Sequence, residues 1–166
     1  LELRGFELDL LPDAVFSMQN LTELRLENCA ITLTQDSAAG LAALEHLEYI
    51  DLDHNPLNIT PNFGNMPNLN TLHLCNTGLR EFPVSLLALS ELEVVDLSEN
   101  LITELPSELF ESAAFITEAL DLEDNPLSQA ALSRVREYFS QTGFDMNIAL
   151  EDADGIAAVI LAEPDE

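Results

Sequence analysis

The chain has 166 residues and a formal net charge of −26, from 31 acidic and five basic side chains. Such a charge repels nucleic acid phosphates and anionic membrane surfaces, so we expect neither nucleic acid nor membrane among the partners. No run of apolar residues reaches the roughly eighteen needed for a membrane-spanning helix. The apolar content of 47% is nevertheless sufficient for one continuous core.

The segment LEVVDLSENLITELP, residues 92–106, defines a unit that recurs along the chain. Apolar and polar residues alternate around Leu97, which predicts a short strand, and Asn100 follows where the chain must turn. An asparagine side chain carries both a carbonyl and an amide group, so it can satisfy backbone groups that the turn leaves unpaired. The turn position recurs at intervals between 22 residues (Asn55 to Thr77) and 26 residues (Cys29 to Asn55). It is occupied in order by Phe6, Cys29, Asn55, Thr77, Asn100 and Asn125.

This spacing, LxxLxLxxNxLxxLP, resembles that of the leucine-rich repeat family over residues 1–127. The resemblance implies an α/β fold, a right-handed solenoid (horseshoe) with a parallel concave β-sheet of six short strands and a C-terminal helical cap. The predicted domains are an array of about six repeats at 1–127, the first one truncated, and a capping helix with a short strand at 128–148. Residues 149–166 are predicted to be an acidic tail or a linker to a missing downstream region.

Two local features are predicted within the array. The first repeat starts in mid-strand without a cap, so we expect further chain upstream or end-to-end association through this uncapped repeat. Asp36 and Ser107 are predicted to cap short helices on the convex side. The side chains expected to fill the core on that side are Leu41, Leu44, Phe63 and Met66.

The repeat period stops after Asn125. Ser128 is predicted to cap a helix over residues 129–142 that ends at Gly143 and covers the last repeat. The apolar face of this helix is predicted to consist of Ala131, Leu132, Val135 and Phe139. Alternation of Phe144, Met146 and Ile148 then predicts a short strand.

A second resemblance begins at Asn125 with NPLSQAALSRVREYFSQTGFDMNI. It is similar to the junction in bacterial proteins where a leucine-rich array passes into a separate catalytic region, including effectors with a NEL-type E3 ubiquitin ligase domain. The repeats of the best-known effectors are shorter, roughly twenty residues, and neither Cys29 nor Cys75 matches the ligase motif. The resemblance implies a substrate-selecting arm of a larger protein and transfers no catalytic residue. It leaves the localisation open between the bacterial cytoplasm and secretion into a host cell.

Motifs for phosphate binding or metal-dependent hydrolysis are absent from the sequence. A zinc site at His54 and His73 would need a third ligand such as Asp51, and the stacked carboxylates are only a weak signal for calcium. Cys29 is expected to be buried and Cys75 exposed, too far apart for a disulfide bond. We therefore predict that the chain is no enzyme and has no cofactor, metal or catalytic residue.

Charged residues flank the inward leucines and form columns across the predicted sheet, with Glu23, Glu48 and Glu93 on one side. The central column is predicted to consist of Glu2, Arg25, Asp51, His73, Asp96 and Asp121. Like charges on adjacent strands, about 4.8 Å apart, oppose folding unless water, salt or a partner screens them. The predicted function is a protein-protein interaction module that binds a basic protein partner on its concave face. The alternative is the substrate-recognition arm of a larger bacterial toxin or effector-type E3 ubiquitin ligase whose catalytic domain is not in this chain. The predicted partner-binding residues are Glu23, Arg25, Glu27, Glu48, Tyr49, Asp51, Asp53, His73, Asp96, Glu99, Asp121 and Glu123.

Overall fold

Five parallel strands form one sheet in which each strand pairs with the next one along the chain. The computed structural model describes residues 1–112 and 114–150. This parallel sheet, together with the segments that return from each strand to the next, confirms the α/β leucine-rich repeat solenoid. The strands are β1 (Glu23–Arg25), β2 (Tyr49–Asp51), β3 (Thr71–His73), β4 (Val94–Asp96) and β5 (Leu120–Asp121).

The first repeat pairs with β1 but does not form the sixth strand that the sequence predicts. The Leu1 carbonyl accepts a hydrogen bond from the Arg25 N–H, and the Leu3 N–H donates to the Arg25 carbonyl, both over 2.8 Å. Only one parallel bridge, between Glu2 and Arg25, results. At the turn position Phe6 exposes 57% of its surface, because a phenyl ring cannot make the hydrogen bonds that hold an asparagine there.

Short helical segments make up the other side of the repeats. They are α1 (Asp13–Phe16), α2 (Gln35–Ala42), α3 (Ser107–Glu111) and α4 (Ala114–Ala119), with 3-10 helices at Phe63–Asn65 and Val84–Ala88.

The two predicted helix caps in the array are wrong. Thr34 precedes α2, and its hydroxyl oxygen accepts a hydrogen bond from the Ser37 N–H, so Asp36 lies inside the first turn. There a carboxylate complements the helix dipole without capping it. Ser107 is the first residue of α3, and the preceding Pro106 makes no side-chain capping bond.

Inward side chains of the strands and helices form one core that runs the length of the sheet. The paired positions Leu24, Ile50, Leu72 and Val95 are fully buried, and each contributes roughly 1.5–3 kcal/mol of apolar burial. The convex core prediction is confirmed, since all four of its members are fully buried: Leu41, Leu44, Phe63 and Met66.

The turn-position asparagines Asn55, Asn100 and Asn125 each join their repeat to the one before it. The Asn55 Oδ1 accepts hydrogen bonds from the backbone N–H groups of Cys29 and Ile31, both over 3.0 Å. Its Nδ2 donates to the carbonyl oxygens of Leu26 and Leu52. The predicted role of asparagine at the turn is thus confirmed, and each such residue satisfies backbone groups in two repeats at once.

The residue before each turn position adopts a left-handed backbone conformation. Its φ is 68° at Gly5, 54° at Glu99 and 55° at Asp124. Glycine, asparagine and aspartate tolerate this conformation, whereas most other residues are strained there. The same position is occupied by Gly5, Asn28, His54, Asn76, Glu99 and Asp124.

A longer helix, α5 (Gln129–Thr142), follows the last strand at the residues that the sequence predicts. The Ser128 Oγ accepts a hydrogen bond from the Ala131 N–H, and Gly143 ends the helix with φ 80°. Tyr138, not Phe139, faces the core, because its hydroxyl hydrogen-bonds the buried Thr117 Oγ1 over 2.9 Å. That α5 acts as a cap remains a prediction, as do the three domain boundaries.

The predicted strand at 144–148 is wrong, because its middle turns. Met146 and Asn147 have φ of 53° and 56°. Met146 and Ile148 are nevertheless buried, and the Leu122 N–H donates to the Met146 carbonyl over 2.9 Å. The predicted tail lies outside the described residues from 151 onward.

Candidate binding face

One column of side chains runs across the outer face of the sheet, which we call the concave face. The pairing of the strands places Arg25 opposite Asp51, Asp51 opposite His73, His73 opposite Asp96, and Asp96 opposite Asp121. The bridge to Glu2 extends the column into the first repeat. The predicted central column is therefore confirmed, and its members in order are Glu2, Arg25, Asp51, His73, Asp96 and Asp121.

The neighbouring column differs from the prediction. Glu23 lies opposite Tyr49, which pairs with Thr71, and Thr71 pairs with Val94. Glu48 and Glu93 each lie one residue earlier in their repeats, outside the strands, so they do not share the column of Glu23. The register follows the inward leucines, and a shift of one residue would turn every side chain to the opposite face.

Three side chains stack across the first three strands. The Arg25 guanidinium carbon lies 3.8 Å from the centre of the Tyr49 ring, and the Tyr49 and His73 ring centres are 5.7 Å apart. Arg25 also forms an ion pair with Glu23 over 3.4 Å. Sequence reasoning listed these residues as contacts for a partner but missed that they contact one another. The signal that could have revealed it is the diagonal placement of Tyr49, two residues before Asp51, which is the strand partner of both Arg25 and His73.

Carboxylates lie close together in the middle of the concave face. Asp51 is buried, and its Oδ1 accepts a hydrogen bond from the Asp53 N–H over 3.1 Å. Burial raises the pKa of Asp53 to about 6, and the neighbouring charges of Asp51 and Asp96 add to this effect. The Cys75 N–H donates to the Asp53 Oδ1 over 2.6 Å, which acts in the opposite direction on that pKa.

His73 and Asp96 each shift the pKa of the other. Interaction with the Asp96 carboxylate raises the pKa of His73, and the His73 Nδ1 lies 3.9 Å from the Asp96 Oδ2. Burial opposes ionisation of Asp96, but interactions with His73 and Ser98 outweigh it and lower the Asp96 pKa. As the pH falls, Asp96 therefore stays ionised longer than the neighbouring Asp53, which is protonated first.

Cys75 is buried, contrary to the prediction of an exposed thiol. Burial raises the pKa of its thiol, with the charges of Asp96 and Asp53 acting in the same direction. Cys29 is buried as predicted, and its Sγ donates weakly to the carbonyl oxygens of Leu3 and Glu27. Both cysteines are free thiols.

The remaining predicted residues lie at the carboxyl edge of the strands. Glu27 forms an ion pair with Arg4 over 3.4 Å. The Asp121 Oδ1 accepts a hydrogen bond from the Glu123 N–H, and its Oδ2 accepts one from the Asn147 side chain. Glu99 and Glu123 are exposed. The acidic surface is therefore continuous from the middle of the sheet to β5.

The zinc ligands considered from the sequence do not come together as proposed there. His54 lies in a left-handed turn beyond β2, where its Nδ1 is 3.2 Å from the Asn76 side-chain nitrogen. Asp53 and Asp96 approach His73 instead, with one potential ligand atom of each within 4.8 Å of the others. Their juxtaposition depends on three repeats, which is why sequence spacing within one repeat did not reveal it.

Among residues 1–112 and 114–150, no helix combines the length and the apolar character that crossing a membrane requires.

Known proteins share the repeat and the fold. The family model described as Leucine Rich Repeat matches residues 46–66 and 91–113. A volume-regulated anion channel subunit, LRRC8D of Rattus norvegicus, is 34% identical over 90 residues, which are 54% of this chain and 10% of that protein. The chain thus spans about a tenth of the length of this curated relative.

Two solved structures resemble the fold. The leucine-rich repeat protein LIC12759 of Leptospira interrogans aligns with a TM-score of 0.63 and 24% identity, over 85% of this chain and 40% of that one. The leucine-rich repeat ectodomain of the receptor kinase SOBIR1 from Arabidopsis thaliana aligns with a TM-score of 0.53 and 18% identity, over 76% of this chain and 68% of that one. The repeat pattern and the family match show that the chain contains leucine-rich repeats, and the parallel sheet and the two solved structures show that it has the leucine-rich repeat fold.

Proposed function

We propose that the concave face binds a basic protein segment. The leucine-rich repeat fold is a protein-interaction scaffold whose stacked strands present one extended surface. The observation that carries the proposal is the central column, in which Asp96 pairs with Asp121 and Asp51 lies on the other side of His73. Among the described residues, no ion pair brings an arginine to any of these three carboxylates.

The distribution of charge supports an elongated cationic ligand. Arg25 is engaged with Glu23 and Tyr49 at one end of the sheet, whereas acidic side chains continue from Asp51 to Glu123. A peptide with several Arg or Lys residues laid across β2 to β5 would relieve the repulsion between stacked carboxylates. Electrostatic association of this kind is fast and weakens as the salt concentration rises.

The stacked ring of Tyr49 and the exposed Val94 add an apolar component. Val94 exposes 44% of its surface, and it lies in the same column as Tyr49. A basic segment that also carries an apolar or aromatic side chain would fit this surface better than a uniformly charged one.

Selection from a displayed peptide library, followed by charge reversal, tests the proposal. Peptides that bind the chain should be enriched in Arg and Lys, and Asp96→Lys with Asp121→Lys should abolish their binding. The matched control is Glu108→Lys with Glu111→Lys, which makes the same charge change on α3 outside the sheet. An equal loss of peptide binding in both double variants would mean that only the net charge of the chain matters. Selected peptides that are not enriched in Arg and Lys would overturn the proposal.

A second candidate function is the substrate-recognition arm of a larger bacterial toxin or effector-type E3 ubiquitin ligase. It is favoured by the NPLS segment at Asn125, which leads into α5 and the left-handed Gly143 as in the junction that it resembles. The chain itself would then select substrates without catalysis. Reading the gene beyond Glu166 tests this candidate, and ubiquitin discharge by the 166-residue chain alone would contradict the non-catalytic role.

A further inference from the structure

Asp53, His73 and Asp96 bring three metal-ligating side chains to one point on the concave face. One potential ligand atom of each lies within 4.8 Å of the other two. His73 is paired with Asp96 across β3 and β4, and Asp53 follows Asp51, the β2 partner of His73, by two residues. The three side chains therefore come from successive repeats of a hydrogen-bonded sheet, whose backbone fixes their mutual positions.

Each carboxylate is oriented by hydrogen bonds to one of its two oxygens. The Asp53 Oδ1 accepts from the Cys75 N–H over 2.6 Å. The Asp96 Oδ1 accepts from the Ser98 N–H over 2.9 Å and from the Ser98 hydroxyl over 2.6 Å. In metal sites the ligating carboxylates are held in this way by outer hydrogen bonds, which leave the second oxygen for the ion.

The separation between His73 and Asp96 suits a shared ion better than a direct contact. Their Nδ1 and Oδ2 atoms are 3.9 Å apart, which is too long for a hydrogen bond. Zinc lies roughly 2.0–2.2 Å from imidazole nitrogen and carboxylate oxygen, so an ion between the two atoms needs shifts of only a fraction of an ångström. Among the described residues, no arginine forms an ion pair with Asp53 or Asp96 that an incoming cation would have to displace.

We infer that Asp53, His73 and Asp96 form a binding site for a divalent transition-metal ion of the zinc class. One imidazole nitrogen and two carboxylate oxygens suit Zn²⁺, Co²⁺ or Ni²⁺, whereas Ca²⁺ and Mg²⁺ prefer oxygen ligands alone. Three protein ligands leave at least one coordination position for water or for a group on a partner. Because the ligands belong to three repeats, a bound ion ties β2, β3 and β4 together.

Calorimetric titration of the whole chain with Zn²⁺, after treatment with a chelator, tests the inference without any partner. We expect saturable binding of one ion, weakened roughly tenfold or more in each of Asp53→Asn, His73→Gln and Asp96→Asn. His54→Gln is the matched histidine control and Asp121→Asn the matched carboxylate control on the same face. Both controls should bind Zn²⁺ within about twofold of the unchanged chain, a difference below roughly 0.5 kcal/mol.

The second measurement is the visible absorption of bound Co²⁺, which reports the ligands directly. We expect the spectrum of the Co²⁺ complex to change in His73→Gln and to remain unchanged in His54→Gln. Urea unfolding of each variant in chelator checks that its fold persists, so that a loss of metal binding is assigned to the ligands.

Two outcomes would overturn the inference. The first is Zn²⁺ binding that His73→Gln leaves unaltered and that Ca²⁺ matches in affinity, which would mean diffuse attraction of cations to the acidic face. The second is the absence of saturable binding up to roughly 1 mM Zn²⁺. Neither outcome bears on the proposed binding of a basic peptide, which is measured in chelator.

Discussion

The side-chain amide of Asn100 donates a hydrogen bond to the carbonyl oxygen of Leu74, one repeat earlier, over 2.8 Å. The same side chain accepts hydrogen bonds from the N–H groups of Thr77 and Leu79. Asn100 is 3% exposed, so water cannot readily replace its side chain as the hydrogen-bond partner of these backbone groups. Asparagine at this position is thus a structural link between repeats.

We expect Asn100→Ala to lower the free energy of unfolding by about 3 kcal/mol, because several buried backbone groups lose their partner at once. Urea denaturation followed by circular dichroism measures the effect. Asn68→Ala is the control, since Asn68 is exposed and should tolerate the change within about 0.5 kcal/mol. Equal effects of the two substitutions would contradict the role assigned to Asn100.

Leu97→Asp should unfold at least the neighbourhood of β4. The Leu97 side chain is fully buried, and an unpaired carboxylate in that environment costs several kcal/mol. Val94→Asp, three residues earlier in the same repeat, adds the same charge at an exposed position and should cost far less. Thermal melts of both variants compare them directly, and a cooperative transition of unchanged midpoint in Leu97→Asp would refute the core assignment.

Glu99→Asn should stabilise the fold by about 1 kcal/mol. Glu99 has φ 54°, a conformation that costs most residues roughly 1–2 kcal/mol but that asparagine tolerates. Asn28 and Asn76 already occupy this position in other repeats. Because the change also removes a negative charge, Glu93→Asn serves as the control, and the difference between their urea midpoints gives the backbone contribution. Equal urea midpoints for the two variants would mean that the stabilisation comes only from removal of a negative charge.

Asp53→Asn should stabilise the metal-free chain at neutral pH and have little effect near pH 4. Burial raises the pKa of Asp53 from 3.8 to about 6 in the folded state, so the folded chain favours the protonated form. The ionised carboxylate therefore opposes folding, with a penalty that is absent below pH 3.8, grows as the pH rises, and is complete above about pH 6.

The expected gain for Asp53→Asn at pH 7 is about 1 kcal/mol, after allowance for solvent screening of this half-buried group. An asparagine Oδ1 can still accept the hydrogen bond from the Cys75 N–H. Unfolding in chelator at pH 4 and pH 7 measures the difference between the two conditions. A stabilisation that is the same at both pH values would exclude titration of Asp53 as its cause.

The sequence predicted the parts of the fold that repeat. The inward position of Leu97 and the hydrogen-bonding role of Asn100 follow from the repeated spacing, so the structure predicted for one repeat could be applied to the other repeats. The central column from Glu2 to Asp121 followed as well, because strand register in a parallel sheet is set by the inward side chains.

Features that depend on a single pair of residues were harder to predict. Tyr138 and Phe139 are adjacent aromatic residues on α5, and it is Tyr138 that turns inward, where it contacts the Thr117 hydroxyl and the Phe110 ring. Thr34 and Asp36 are both ordinary helix caps, and the reciprocal hydrogen bonds with Ser37 select Thr34. Such choices are made by partners distant in the sequence or by the exact start of a helix, and the repeat pattern contains neither.

The candidate site was predicted in outline only. The stack of Arg25, Tyr49 and His73 and the approach of Asp53 to Asp96 link successive strands, so they are visible only when the strands are aligned with one another. The burial of Cys75 likewise follows from the stacking of repeats, which places it beside Ser98 of the next repeat.

The variable spacing of the turn positions determines where the chain tolerates a change in length. The extra residues of the longer repeats lie in the convex segments, such as α2, while the strands remain in one register. Additional residues between Thr34 and Leu44 would therefore alter the convex outline without displacing an acidic side chain on the sheet. One residue inserted between Tyr49 and Asn55 would instead shift that repeat against both neighbours. The two sides of the solenoid can therefore diverge independently. The convex side can change by insertion and deletion, whereas the sheet can change by substitution alone.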